Sequence, residues 1–447
     1  MRATVMTEGG IMRGMVVFAM PLMLGNILQQ FYNLADTFIV GRFIGAGALA
    51  AVGAAYALMV FINSVQLGLC MGSGTLFSLH FGAGRMDRLR HGVYVSFVFI
   101  GLITVALNVA VFLLIDPLMR LLQVPGDVYG MMREYLLVVF CGIGFSFIYN
   151  FFASLLRAVG NSVVPLVALV VSVVLNVVLD IVFVCVFGWG VAGAAWATVI
   201  SQGVSAAWLT LYTMRRMAEL LPGREERRFS RSVLGEIGSY SLLTCLQQSV
   251  MNFGILMVQG LVNSFGTAVM AAFAAAVKID TLAYMPAQDF GNAYSVFVAQ
   301  NYGASKVDRV RRGTRGAFAL VSAFCLAVSV LVFIFAEPLM GVFVGDEPEI
   351  VRIGSGYLRI EGAFYCGIGI LFLLYGYYRA VRRPAFSVVL TVISLGTRVA
   401  FAYALSAIPA VGVAGIWWSV PVGWALADAV GLIYYRKINR LHNDIAL

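Results

Sequence analysis

Two strings fix the plan of this chain. His80–Gly92 reads HFGAGRMDRLRHG and Asn301–Gly313 reads NYGASKVDRVRRG. Gly82, Ala83, Asp87, Arg88, Arg90 and Gly92 recur as Gly303, Ala304, Asp308, Arg309, Arg311 and Gly313, each 221 positions later. Asp116-Pro117-Leu118-Met119 returns as Glu337-Pro338-Leu339-Met340 at the same shift. Arg157-Ala158-Val159 returns as Arg379-Ala380-Val381, and Gly190-Val191-Ala192-Gly193 as Gly412-Val413-Ala414-Gly415, both 222 later. Matches that hold one register across both halves, with a single-residue slip, mark a duplication.

The duplicated unit is a membrane bundle. Of 447 residues, 61% are hydrophobic and 11% charged, against about 25% charged in soluble domains. A helical span needs about 20 apolar residues. Twelve stretches reach that length: Gly14–Val40, Leu49–Leu79, Gly92–Ile115, Tyr129–Leu155, Val163–Phe187, Val191–Met214, Gly238–Val262, Val269–Ala299, Gly316–Ala336, Gly356–Tyr378, Phe386–Ala407 and Val413–Tyr435. The first reads as a span rather than a cleaved leader, being too long and carrying Pro21 and Asp36. The six cysteines lie in apolar stretches without metal-like spacing and read as small hydrophobes.

The net charge of +9 is distributed as in a membrane protein rather than a nucleic-acid binder. Basic residues gather in alternate connections: Arg85, Arg88 and Arg90; Arg157; Arg215, Arg216, Arg224, Arg227, Arg228 and Arg231; Lys306, Arg309, Arg311, Arg312 and Arg315; Arg379, Arg382 and Arg383; Arg436, Lys437 and Arg440. The remaining connections hold few, and one is acidic at Asp346, Glu347 and Glu349. This positive-inside pattern predicts a multi-pass protein of the cytoplasmic (inner) membrane with both termini in the cytoplasm. The expected fold is all-α: twelve transmembrane helices in two six-helix lobes. Residues 1–214 form the N-lobe, 215–235 a basic linker and 236–447 the C-lobe. Six spans return the chain to its starting side, so the lobes share one orientation, related by a pseudo-two-fold axis along the membrane normal. Duplicated halves of this kind favour a transporter that rocks around a site between them. Partners are expected to be a small molecule and the lipid bilayer, with no nucleic acid and no cofactor, and the protein is expected to act as a monomer.

A carboxylate within a span is costly and usually functional. Asp36 lies about four residues before the outer end of the first span, roughly 6 Å deep, and Asp180 about seven before the outer end of the fifth, roughly 10 Å deep. Asn176 shares a helix face with Asp180, four residues apart, and Thr198 of the sixth span falls at a similar depth. Two carboxylates, an amide and a hydroxyl are hard oxygen ligands suited to sodium, and paired carboxylates equally suit a proton. The plainer reading leaves Asp36 facing water and Asn176 and Thr198 bridging helices. In the second half, Asn176 maps to Arg398 and Asp180 to Ala402, while Lys278, Asp280, Glu361 and Arg398 fall at comparable depth. They are expected to form a salt-bridged cluster, structural or touching substrate. Pro21 removes a backbone hydrogen bond and predicts a bend in the first helix.

Together these residues resemble a known family. Pro21 precedes Asp36 by 15 positions, Asn176-x-x-x-Asp180 is followed 18 positions later by Thr198, and Gln300-Asn301-x-Gly303-Ala304 closes the eighth span. With six-plus-six helices, the chain resembles the multidrug and toxic compound extrusion (MATE) transporters over essentially its whole length. The resemblance implies cation-coupled antiport of organic, often cationic, compounds, with sodium or protons flowing inward. It implies that Asp36, Asn176, Asp180 and Thr198 bind the coupling ion in the N-lobe, and that Pro21 bends the first helix. Another branch of the family places its cation carboxylates in the seventh and tenth helices. Here Glu236 only precedes the seventh and Glu361 stands alone, which favours the N-lobe. A flippase for lipid-linked precursors on a related fold is the alternative, since Arg398 and Lys278 are cationic; the nearby acids argue against it. An enzyme would need a catalytic constellation, and none is visible. A channel fits poorly with a duplicated rocking plan.

Overall fold

The computed structural model describes residues 6–121, 124–345 and 347–445; Asp346 of the acidic connection lies outside them. Among these residues the chain is α-helical with no strand. The first half holds α1 (Ile11–Phe43), α2 (Ala46–Gly82), α3 (Met86–Leu121), α4 (Gly126–Cys141), α5 (Ile143–Ala158), α6 (Val163–Asp180) and α7 (Gly190–Arg216). The second holds α8 (Arg231–Asn263), α9 (Thr267–Gly303), α10 (Val307–Val344), α11 (Pro348–Gly362), α12 (Tyr365–Ala380), α13 (Pro384–Ser406) and α14 (Val413–Ile445). Among the described residues, nine helices are long and apolar enough to cross a bilayer, and two bent pairs pass together. The twelfth expected span is α7, a 27-residue helix diluted by Gly, Ala, Ser and Gln. The architecture is that of an all-α integral membrane protein of twelve transmembrane helices in two lobes.

Two expected spans are not straight rods. α4 and α5 meet at 45°, and α11 and α12 at 52°. The breaks fall at Gly142 and at Ala363-Phe364, matching positions of the repeat. A break frees backbone groups that must find partners. In the first half, Asn108 Nδ2 donates to Phe140 O at 2.8 Å and Gln66 Nε2 to Ile143 O at 3.1 Å. A Cβ at Gly142 would press on Val199 Cγ2 at 3.0 Å, so glycine lets α7 come close. The bend expected at Pro21 does not interrupt α1, which runs through it as one helix. In α10, by contrast, Phe335 leaves helical geometry (φ −97°, ψ 16°) three residues before Pro338.

The helices fall into two compact units. One is Met20–Cys245 with Met6; the other is Thr7–Ala19 and Leu246 onward. In the first unit, α2 presents Gly68-x-x-x-Gly72 to the start of α8, where a Cβ on either glycine would collide with the backbone of Cys245 or of Tyr240 and Ser241. Small residues at this spacing let membrane helices approach closely. Ser73 and Ser241 hydroxyls then meet at 2.8 Å. Phe77, Phe97, Phe147, Phe151 and Phe152 pack edge-to-face or tilted between α2, α3 and α5. The basic connection 217–230 is tied down by Arg90, whose Nε donates to Glu219 O at 2.7 Å, and by His91 Nε2, 2.8 Å from Arg228 O. In the second unit, Lys306 Nζ donates to Thr7 O at 3.0 Å, and Arg309 to Gly9 O at 2.9 Å and Glu8 O at 2.8 Å.

The repeated acid-Pro-Leu-Met motif has one job in both units. Arg133 of α4 holds Asp116 at 3.0 Å, and Arg359 of α11 holds Glu337 at 3.0 Å. Outer helix faces carry large exposed side chains, as Leu102, Val105, Val109 and Leu113 do on α3. That is the expected surface for a protein whose solvent is lipid.

Candidate functional site

α1, α6 and α7 bring the four first-half candidates together inside the first unit. Asp36 (8% exposed), Asn176 (1%), Asp180 (0%) and Thr198 (3%) are all buried. Asn176 and Asp180 lie one turn apart on the face of α6 that also buries Ser172. The Asn176 amide is satisfied at both ends when Nδ2 donates to Asp180 Oδ2 at 2.8 Å and the amide oxygen accepts from Thr198 N at 3.1 Å. Among the described residues, Asp36 Oδ1 and Asp180 Oδ1 each lack a hydrogen-bond partner, and the two carboxylates lie within electrostatic reach of one another.

Two tyrosines complete the site. Tyr32, one turn before Asp36 on α1, meets Thr198 Oγ1 at 3.1 Å. Tyr135, buried on α4, lies within electrostatic reach of Asp36, Tyr32 and Asp180. The sequence offered a signal for Tyr32 in its four-residue spacing from Asp36; for Tyr135 it offered none. Immediately after Asp180 the helix widens into a π-helical turn, residues 181–186. Such turns are rare and are often found at functional sites. The chemistry of the whole is two unpartnered carboxylate oxygens, an amide and hydroxyls: a hard, anionic pocket that favours a small cation or a proton.

The second-half candidates come together only in part. Asp280 (3% exposed) and Glu361 (2%) are buried and adjacent, with Tyr357 donating to Asp280 Oδ2 at 3.4 Å. Arg398 is half-buried within electrostatic reach of both acids. Among the described residues no ion pair within 4.0 Å joins it to either, and Asp280 Oδ1, Glu361 Oε2 and Arg398 Nε have no hydrogen-bond partner. Lys278 is exposed, because two positions along a helix turn a side chain away from its neighbour's face. The expected salt-bridge cluster is thus a carboxyl pair ringed by tyrosines, with one arginine nearby.

The MatE family model matches residues 21–182 and again 241–404, one match per repeat. The chain belongs to the MatE family. It is 31% identical over 439 residues to a probable multidrug resistance protein, YpnP, of Bacillus subtilis, covering 98% of this chain and 97% of the relative. It is 27% identical to the probable multidrug resistance protein NorM of Thermotoga maritima, covering 91% and 88%. Among solved structures it superposes on an outward-facing MATE family transporter with TM-score 0.91 at 24% identity, covering 98% of each chain. It superposes on the bent form of the Vibrio cholerae MATE transporter VcmN with TM-score 0.89 at 23% identity, covering 97% and 98%. This MatE member is therefore a multi-pass membrane transporter of small molecules, not an enzyme.

Proposed function

We propose that the chain is an antiporter, driven by sodium or protons, that exports organic compounds of cationic or amphipathic character by alternating access. The observation that carries the reading is the convergence of Asp36 and Asp180 in one buried pocket, each with an unpartnered oxygen. Anionic charge held out of water is unstable without a cation to neutralise it. The pocket therefore takes up a coupling ion, and its neutralisation removes the charge that holds a cationic substrate. Relatives described as multidrug resistance and multidrug export proteins support the substrate class. The lobes are residues 1–214 and 236–447, joined by the basic linker 215–235. The protein works as a monomer in the cytoplasmic membrane with both termini in the cytoplasm, as the alternation of basic connections requires.

The test is efflux of a fluorescent cation from proteoliposomes under separately imposed sodium and proton gradients. Efflux that follows one of the two gradients is expected; efflux that ignores both overturns the reading.

A further inference from the structure

The second unit buries a carboxylate that the first-unit site does not use. Asp428 lies within the membrane-spanning part of α14 (residues 413–438), is 8% exposed, and its Oδ1 has no hydrogen-bond partner. Its Oδ2 faces Gly367 of α12, where a Cβ would stand 3.7 Å from it. No ion pair within 4.0 Å joins Asp428 to a cation among the described residues.

α14 packs against α11, α12 and α13. From α12, the Tyr375 phenol is within electrostatic reach of Asp428 and also of Arg379. Arg379 is 4% exposed and reaches Asn292 Oδ1 at 3.4 Å. From α13, Ser387 donates to Tyr375 O at 3.1 Å. Ser387, Thr391 and Ser394 are buried at i, i+4 and i+7, so they form one hydroxyl-bearing face. Arg398, four residues beyond Ser394, continues that face to the Asp280–Glu361 pair. Tyr375 is thus the titratable group within electrostatic reach of Asp428, and Arg379 is within reach of Tyr375. Arg398 of α13 and Glu361 of α11 belong to the carboxyl pair.

An ionised carboxylate in such surroundings, without a cation in contact, costs far more than a neutral acid. A single carboxylate offers too few oxygens to replace a metal ion's hydration shell. A proton needs only one. We propose that Asp428 is a proton-carrying site of the second unit, loaded and unloaded during transport. Loading forms an O–H bond on the carboxylate with a proton taken from hydronium, which leaves water, or from water, which leaves hydroxide. Unloading returns it by the same kind of step, and no electron moves. The role in transport rests on the reading of the chain as a cation-coupled exporter; the protonation itself does not.

Infrared difference spectra of the purified protein in lipid nanodiscs, between acid and alkaline pH, test the site directly. Asp428→Asn is expected to remove one protonated-carboxyl band, and Tyr375→Phe to shift it. An unchanged set of bands in Asp428→Asn means that the carboxyl neither gains nor loses a proton over that range, and overturns the proposal. Proteoliposome efflux under a proton gradient tests the role. Asp428→Asn is expected to lose most of the gradient-driven rate and to flatten its pH profile, and Asp428→Glu to restore part of both. A lost band with unchanged efflux and pH profile marks a buried structural acid and also overturns it. Where Asp428→Asn does not fold, Asp428→Glu carries the test: a shifted protonated-carboxyl band is expected, and an unshifted set of bands overturns the proposal. Wild-type efflux that ignores both gradients ends the exporter reading and the transport role together, while the infrared band still decides whether Asp428 holds a proton.

Discussion

The Tyr32 hydroxyl of α1 and the Thr198 hydroxyl of α7 lie 3.1 Å apart, 166 residues apart in the chain. This contact ties the helix that carries Asp36 to the helix that faces Asp180. Removing the phenol deletes one neutral hydrogen bond, worth about 0.5–1.5 kcal/mol. Tyr32→Phe is expected to weaken the apparent affinity for the coupling ion by about 2–10-fold, since each 1.4 kcal/mol is tenfold. Ion-dependent protection against thermal unfolding measures it. A Tyr32→Phe protein with wild-type ion dependence would remove Tyr32 from the site.

Asp36→Asn keeps the shape of the side chain and abolishes its charge. The protein is expected to fold and insert normally but to lose gradient-driven efflux. Gel filtration and proteoliposome transport together check this. Wild-type efflux would show that coupling runs through another group.

Asp180→Asn tests linkage. If the coupling ion and a cationic substrate neutralise the same charge, each weakens the other by the same factor. Equilibrium binding of a fluorescent cation to the wild type should weaken as sodium rises or pH falls, and Asp180→Asn should blunt that dependence. Binding to the wild type that is indifferent to both ions would refute the shared-charge mechanism.

Gly72→Val forces a branched side chain against the α8 backbone at Tyr240 and Ser241. Overpacking of this kind costs about 1–3 kcal/mol. Gly130→Ala in α4, where nothing lies within 4 Å of the new carbon, is expected to raise stability by up to about 1 kcal/mol. Thermal unfolding in one detergent compares the two, and equal melting temperatures would contradict the close approach.

The duplication and the membrane class were legible because they rest on pattern: a fixed repeat shift and long apolar runs. The bends at Gly142 and Ala363-Phe364 were not, since hydropathy records what a residue prefers and not where the backbone points. Asn176 and Asp180 could be paired from their four-residue spacing, whereas Tyr135 joins them only through packing of α4. Lys278 was grouped with Asp280 on depth alone, although two positions along a helix put them on different faces. Asp428 is plainly visible in the string WALADAV, and Arg379 stood among the cytoplasmic-side charges. What sequence could not supply was the Tyr375 that lies within reach of both.

The grip of Lys306 and Arg309 on the carbonyls of Thr7, Glu8 and Gly9 spans 299 to 301 residues of chain. At about 5–20 residues per second of synthesis, those carbonyls wait roughly 15–60 s for their partners to be made. Closing so long a loop costs little more than closing a short one, because the entropy grows only with the logarithm of length. The segment Thr7–Ala19 is made before the rest of its unit yet cannot be held until the start of α10 exists. A nascent chain halted before Lys306 has no lock for it.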